Sequence, residues 1–331
     1  LTVSDTGQNR VFIWKHFQFE KHQPADVVLG QSDTASTGRN AHGETDASSL
    51  QYPSGIWTDG SQVIVADAWN HRVLIWKGMP EWHGQPADFV LGQKNFSINQ
   101  PNGAGIGAAP AADSLYWPYG VWGQNGHLWI ADTGNRRVLF FSRIPDRNFT
   151  AADAVIGQPD MNSRDYDPQH AIWPYSVKAD ATGKLLITDT QYYRVLLWGR
   201  YQNALSGTQA DVLMGQPSFD ANGQNQFGLK PAAHTLNWTY DACFTDTGLT
   251  VADTGNSRIL HWQQVPKTHN APADHLIGQP DFSTNGESSL SMKSQIENEM
   301  YWPFAVQFQS GYLVVADTGN HRIIFYTWDE E

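Results

Sequence analysis

The sequence predicts an all-β protein, a six-bladed β-propeller of four-stranded antiparallel blades. Three observations carry that prediction. A twelve-residue cassette, "VADTGNHRIIFY" at 315–326, recurs six times in variant spellings, the first being "VSDTGQNRVFIW". Its Asp falls at Asp5, Asp67, Asp132, Asp189, Asp253 and Asp317, a period of about sixty residues, which suits a propeller blade carrying insertions. No segment shows a sustained helical apolar period, so little helix is expected.

The second repeat shows the elements in order. "SGIWTDG" (54–60) is a short run closed by an Asp-Gly turn, and "QVIVAD" (62–67) alternates apolar and polar residues. "HRVLIWK" (71–77) alternates again, and "ADFVLGQ" (87–93) is the fourth run. These strands a to d are β-branched or aromatic and are bounded by Gly, Asp, Asn or Pro. Stacking such units buries both faces of each small sheet. Trp14, Trp76, Phe140, Trp198, Trp262 and Phe325 are expected to fill the wedges between blades. The chain holds six b–c hairpins but five a strands and five d strands, beginning at b and stopping after c. A single domain over 1–331 is expected, with the first and last cassettes (1–31 and 301–331) adjacent at the ring closure. "GLTVAD" at 248–253 matches the opening "LTVSD", so Leu1 reads as the middle of a repeat, with further residues expected upstream.

The pattern "L.WP.GV…L.VADTGNHRVL.W" resembles the NHL repeat. "NHR" at 70–72 and 320–322 are its best copies, and "QNR", "NRR", "YYR" and "NSR" depart from it. The resemblance covers the whole chain and implies a six-bladed propeller. It implies less about function, because propellers host many.

Composition narrows the function classes. Hydrophobic residues make up 40% and charged residues 16%, a globular chain with a polar, mostly uncharged surface. The net charge of −12, with no basic run, disfavours nucleic acid and anionic lipid as partners. The lone cysteine, Cys243, cannot form an internal disulfide or a CxxC pair. No apolar run is long enough to span a membrane, so no membrane insertion is expected. The chain shows no signal peptide. An extracytoplasmic location (periplasmic, secreted or surface) is expected, with any export signal already removed.

Each cassette places an Asp five residues before an Arg: Asp5/Arg10, Asp67/Arg72, Asp132/Arg137, Asp189/Arg194, Asp253/Arg258 and Asp317/Arg322. The planar Arg fork suits a carboxylate across a hairpin. A catalytic residue breaks a repeat and a structural one follows it, so these read as structural ion pairs. The "ADxVLGQ" element reads the same way, with Asp26, Asp88, Asp153, Asp211 and Asp274 before the d strands and Gln31, Gln93, Gln158, Gln216 and Gln279 after them.

In an antiparallel blade the b–c turns share a face with the d-to-a connections, which run to about twenty residues against a usual five. Long connections on one face are where function concentrates. At their ends stand Tyr52, Trp117, Trp173, Trp238 and Trp302, all but Trp238 followed by Pro. They are expected around a channel mouth, either as apolar platforms or as plugs between blades. Strand a varies among blades, and Trp57, Trp122, Lys178, Asp241, Cys243 and Gln307 are the residues that refuse to repeat. Lys178 with Asp241 also reads as a channel ion pair.

Twelve His show no HxH or HExxH spacing, leaving His71 and His321, in equivalent turns, as the metal candidates. No cofactor is implied by the sequence. The sequons at 95–97, 148–150 and 237–239 are weak signals. The favoured function is a non-enzymatic binding propeller for a protein, peptide or glycan, with its site at the loop-rich face. The alternative is a metal-dependent lyase or other enzyme with its site in the central channel. Some NHL-like propellers resemble the peptidyl-hydroxyglycine amidating lyase, which uses a metal and His ligands there. RNA binding, a property of animal NHL domains, needs a basic face that this chain lacks.

Overall fold

The computed structural model describes residues 1–20, 22–165, 173–286 and 299–328. The chain is all-β, with six antiparallel propeller blades, and its fold divides into two compact units, Leu1–Asp165 and Tyr166–Glu331.

The first unit contains three sheets. The first has β1 (Thr2–Asp5), β2 (Arg10–Ile13) and β3 (Val27–Leu29). The second has β4 (Pro53–Thr58), β5 (Val63–Asp67), β6 (Arg72–Trp76) and β7 (Phe89–Leu91). The third has β8 (Pro118–Gln124), β9 (His127–Asp132), β10 (Arg137–Phe141) and β11 (Ala154–Ile156).

The second unit repeats the plan. Its fourth sheet has β12 (Pro174–Ala179), β13 (Leu185–Asp189), β14 (Arg194–Trp198) and β15 (Val212–Met214). The fifth has β16 (Asp241–Phe244), β17 (Leu249–Asp253), β18 (Arg258–Trp262) and β19 (His275–Ile277). The sixth has β20 (Pro303–Gln309), β21 (Tyr312–Asp317) and β22 (Arg322–Thr327). Among the described residues the first sheet lacks an a strand and the sixth a d strand, which matches the count of five each. Among the described residues helix is confined to a single turn, α1 (Tyr201–Leu205), and short 3₁₀ turns. No helix among the described residues is long and apolar enough to cross a membrane.

Strands b and c were expected to alternate, yet every residue of β5, β6, β10, β13, β14, β17 and β18 is buried. The second and fifth sheets are covered on both sides, so both of their faces are apolar, whereas β2 and β21, in the first and sixth sheets, do alternate. One face of the second sheet packs Val65, Leu74 and Trp76 on Val11 and Leu29 of the first, and the other packs Ile64 and Ile75 on Val121 and Leu128 of the third. The second unit builds its wedges alike, with Leu186 and Leu197 on Val251 and Trp262, and Ile259 on Val306 and Leu313. The wedge tryptophans also close the c–d loops. The indole N–H groups of Trp14, Trp76, Trp198 and Trp262 donate to the carbonyls of Gln23, Gln85, Thr208 and Ala271.

The ADxVLGQ element performs two local tasks. Asp26, Asp88, Asp153, Asp211 and Asp274 each accept the N–H just beyond the end of their own strand c, at 2.7 to 2.9 Å. Gln31, Gln93, Gln158, Gln216 and Gln279 each bridge two carbonyls with one amide nitrogen, one in the b–c turn and one seven residues downstream. The long loop is thereby tied to the hairpin turn as soon as it leaves strand d.

Candidate functional site

The b–c turn is built for close contact. Its residue before the Arg adopts the left-handed conformation: Asn9, His71, Arg136, Tyr193, Ser257 and His321, with φ between 51° and 58°. Asn and His tolerate that region better than branched residues do. The turn glycines meet backbone. A Cβ on Gly134 would lie 2.6 Å from the Tyr116 carbonyl, to which the Gly134 N–H donates at 2.8 Å. In the second sheet Trp69 stands at that place and its ring stacks on Tyr52 at 4.8 Å.

Every Asp–Arg pair forms, with Arg Nε at 2.7 to 2.9 Å from Asp Oδ2. Four pairs are fully buried: those of Arg72, Arg137, Arg194 and Arg258. Burial pushes the carboxyls of Asp67, Asp132 and Asp253 above the usual carboxylate range, against the pull of the arginine beside each. The guanidinium has a wider reach than its partner. Arg72 donates to the carbonyls of Asp46 and Ser49 in the incoming long loop and Phe96 in the outgoing one. Arg137 does so to Ala111, Ser114 and Met161, and Arg258 to Ala232, Thr235 and Phe282. Arg72, Arg137 and Arg258 thus each staple two long loops onto one hairpin, and Arg194 donates to the Phe219 carbonyl of its outgoing loop.

An element unread in the sequence completes the staple. Asn40, Asn102 and Asn225, in the long loops, pair by reciprocal amide bonds with Asn70, Asn135 and Asn256 of the cassette. The cassette Asn also donates to its Asp. The loop signal exists as "GRNAHG" (38–43) and "GQNQFG" (223–228), a repeat hidden by the variable residues around it.

The mouth aromatics emerge from this frame. Tyr52, Trp117, Trp238 and Trp302 all have left-handed backbone, φ 45° to 54°, a costly conformation for a bulky residue. Two sets of bonds hold them. The N–H of the preceding residue, Gln51, Tyr116, Asn237 or Tyr301, donates to Oδ1 of the cassette Asp. The aromatic's own N–H donates to the turn residue of the preceding blade: Tyr52 to Asn9, Trp117 to His71 Nδ1, Trp302 to Ser257. Trp238 instead meets Tyr193 edge-on at 5.4 Å. Trp173 departs from the set, because its own N–H takes the place on Asp189. Trp117, Trp238 and Trp302 are 38%, 38% and 44% exposed, and Tyr52 and Trp173 are half-buried.

A second aromatic row lies two positions on. Tyr52 meets Tyr119 edge-on at 6.4 Å in the first unit; in the second, Tyr175, Tyr240 and Phe304 form a run at 4.9 and 4.5 Å. None of these four is among the expected site residues, although each directly follows the Pro or Thr after the mouth aromatic.

The non-repeating strand-a residues differ between units. Trp57 lies flat on Gly123, where a Cβ would come within 2.5 Å of its ring, and Trp122 pairs across the third sheet with Trp129. In the second unit Lys178 Nζ stands 3.7 Å from Asp241 Oδ2 and donates to Gln307 Oε1 at 3.2 Å. Asp241 also accepts from the Ser176 hydroxyl and the Ala242 and Val306 N–H groups. This bracket ties three neighbouring strands, β12, β16 and β20. Burial pushes the Cys243 thiol beside it up to about 12, so it stays protonated and is a poor nucleophile.

No group of three or more His, Cys, Asp or Glu among the described residues could hold a metal ion. His71 is in the first unit and His321 in the second. His71 is buried, spends Nδ1 on the Trp117 N–H, and is pushed down to about 4 by burial. Of the sequon asparagines, Asn237 is buried and Asn148 accepts the Val90 N–H.

No family model matches the chain, the NHL-repeat family included, and no curated protein does. Among solved structures it is similar to a catalytically inactive virginiamycin B lyase from Staphylococcus aureus with quinupristin, at 14% identity and a TM-score of 0.40, over 83% of this chain and 69% of that one. It is also similar to a streptogramin B lyase at 11% identity and a TM-score of 0.41, over 88% and 86% of the two chains.

Proposed function

We propose that this chain is a non-enzymatic binding module of extracytoplasmic proteins, and that it grips its partner with the aromatics displayed at the ends of its long loops. The observation that supports this most is the exposure of Trp117, Trp238 and Trp302 on strained backbone. A side chain placed for packing alone would be buried and relaxed. Rings held half out of a rigid frame give apolar area to a ligand with little ordering cost. The partner class is a protein, peptide or glycan, since a chain of charge −12 repels polyanions.

The test is binding of the purified chain to arrays of peptides and glycans, with hits repeated on Trp117→Ala, Trp238→Ala and Trp302→Ala. At least one variant is expected to lose tenfold or more in affinity with an unchanged melting temperature. Hits that survive all three changes would sink the reading.

A further inference from the structure

The second unit contains a cavity of about 450 Å³ on the long-loop side, lined by the turn Tyr193, by residues of the loop 222–229 and by Asn285. That volume is within the range of small-ligand pockets, roughly 300–1,000 Å³. We propose that it is a binding subsite for a neutral carbohydrate, of the size of one or two hexose units. The inference rests on the binding-module reading and names a ligand class for one part of that surface.

The lining chemistry selects the class. Asn222, Gln224 and Asn285 are exposed residues lining the cavity, and none of their carboxamides is hydrogen-bonded within the described residues. Each offers an acceptor and two donors, the combination that matches neighbouring hydroxyls. Tyr193, Phe227 and Leu229 supply apolar surface, and the last two are 81% and 98% exposed. Such faces suit the C–H side of a pyranose ring. Among the described residues no charged side chain lines the space.

A peptide fits less well. Extended peptides add to a free strand edge, and this wall presents none. Asn225, Gln226 and Phe227 form a left-handed turn, with φ 47°, 56° and 62°, and the N–H groups of Asn225, Gln226 and the following Gly228 are spent internally, on the Leu236, Gly223 and Asn225 carbonyls. The turn is anchored from below. Asn225 is paired with Asn256, and the Gln226 amide donates to the Gly215 and His234 carbonyls and to Asn270. The wall therefore exists before the ligand arrives. The corresponding "GRNAHG" loop of the first unit carries Arg39 where Gln224 stands, and its guanidinium lies over Trp69.

The experiment is a neutral-glycan array followed by calorimetry with cellobiose, maltose, lactose and N,N′-diacetylchitobiose. At least one sugar should bind saturably, with Asn222→Ala and Gln224→Ala each weakening it fivefold or more and Trp82→Ala, at an exposed c–d loop residue of the first unit, leaving it unchanged. Both loop residues are exposed, so melting curves of these variants should overlay the parent. Failure of every neutral glycan, or binding indifferent to Asn222 and Gln224, overturns the inference. A chain that ignores sugars but binds a peptide through Trp117 would overturn it while leaving the binding-module reading intact.

Discussion

The cassette Asp divides its labour between two oxygens. Oδ2 takes the Arg and the Asn, and Oδ1 holds the N–H at the end of a long loop. Removing Arg137 leaves a buried carboxylate unpaired and several loop carbonyls without donors, a change that costs about 3–5 kcal/mol for a buried pair. Arg137→Met should lose that much in urea unfolding. Arg10→Met, at a pair whose side chains are 14% and 32% exposed, should lose about 1 kcal/mol or less. Equal losses would show that burial does not set the pair's worth. His71 gives a pH signature. Its folded pKa is about 4 against an ordinary 6.5, so between those values the unfolded chain takes the proton first. Stability is then full above pH 6.5 and declines as pH falls towards 4, by at most about 3 kcal/mol. Asn9 fills the same turn position and accepts the Tyr52 N–H. His71→Asn should therefore flatten that slope in melting curves taken from pH 7 to 4 while keeping the neutral-pH midpoint.

At the scale of the strand, the d strands are three residues long, and several have an N–H met from the neighbouring blade. His83 Nδ1 accepts from Val28, Asn148 Oδ1 from Val90 and His269 Nδ1 from Leu213, at 3.0 to 3.2 Å. A capped edge is a poor template for another chain. Amide exchange at Leu213 should rise at least tenfold in His269→Ala while β17 amides stay protected; unchanged exchange would mean that the His is incidental. The strands themselves were legible, because the "VAD…R" spelling repeats and strands a and d flank it at steady distances. The contacts between blades were not. His83, Asn148 and His269 hold one position in "MPEWHGQPAD" (79–88), "IPDRNFTAAD" (144–153) and "VPKTHNAPAD" (265–274), but spacing alone does not say which strand that position caps, and Asn40, Asn102 and Asn225 sit among residues without period. The long loops read either as carriers of a binding site or as flaps packed on the ring, and Arg and Asn fasten them at both ends. Trp173 shows the reverse failure, a matching letter beside Pro whose N–H holds a different place from that of Trp117.

At the scale of the molecule, two units of three blades each reuse one hairpin and vary what stands beside it. Folded proteins of this kind retain only about 5–15 kcal/mol of net stability. Each bulky residue held at positive φ costs about 1–3 kcal/mol of it, and Tyr52, Trp117, Trp238, Trp302 and Phe227 are all so held. Phe227, 81% exposed, recovers little by packing. Replacing it with Asn, which accepts that backbone, should raise the unfolding midpoint; a lower midpoint would show that the ring packs for stability after all. Selection for durability alone would have erased such residues. Under the proposed function the strained display positions trade robustness for contact with a partner, and a stabilised variant would be expected to forfeit that partner first.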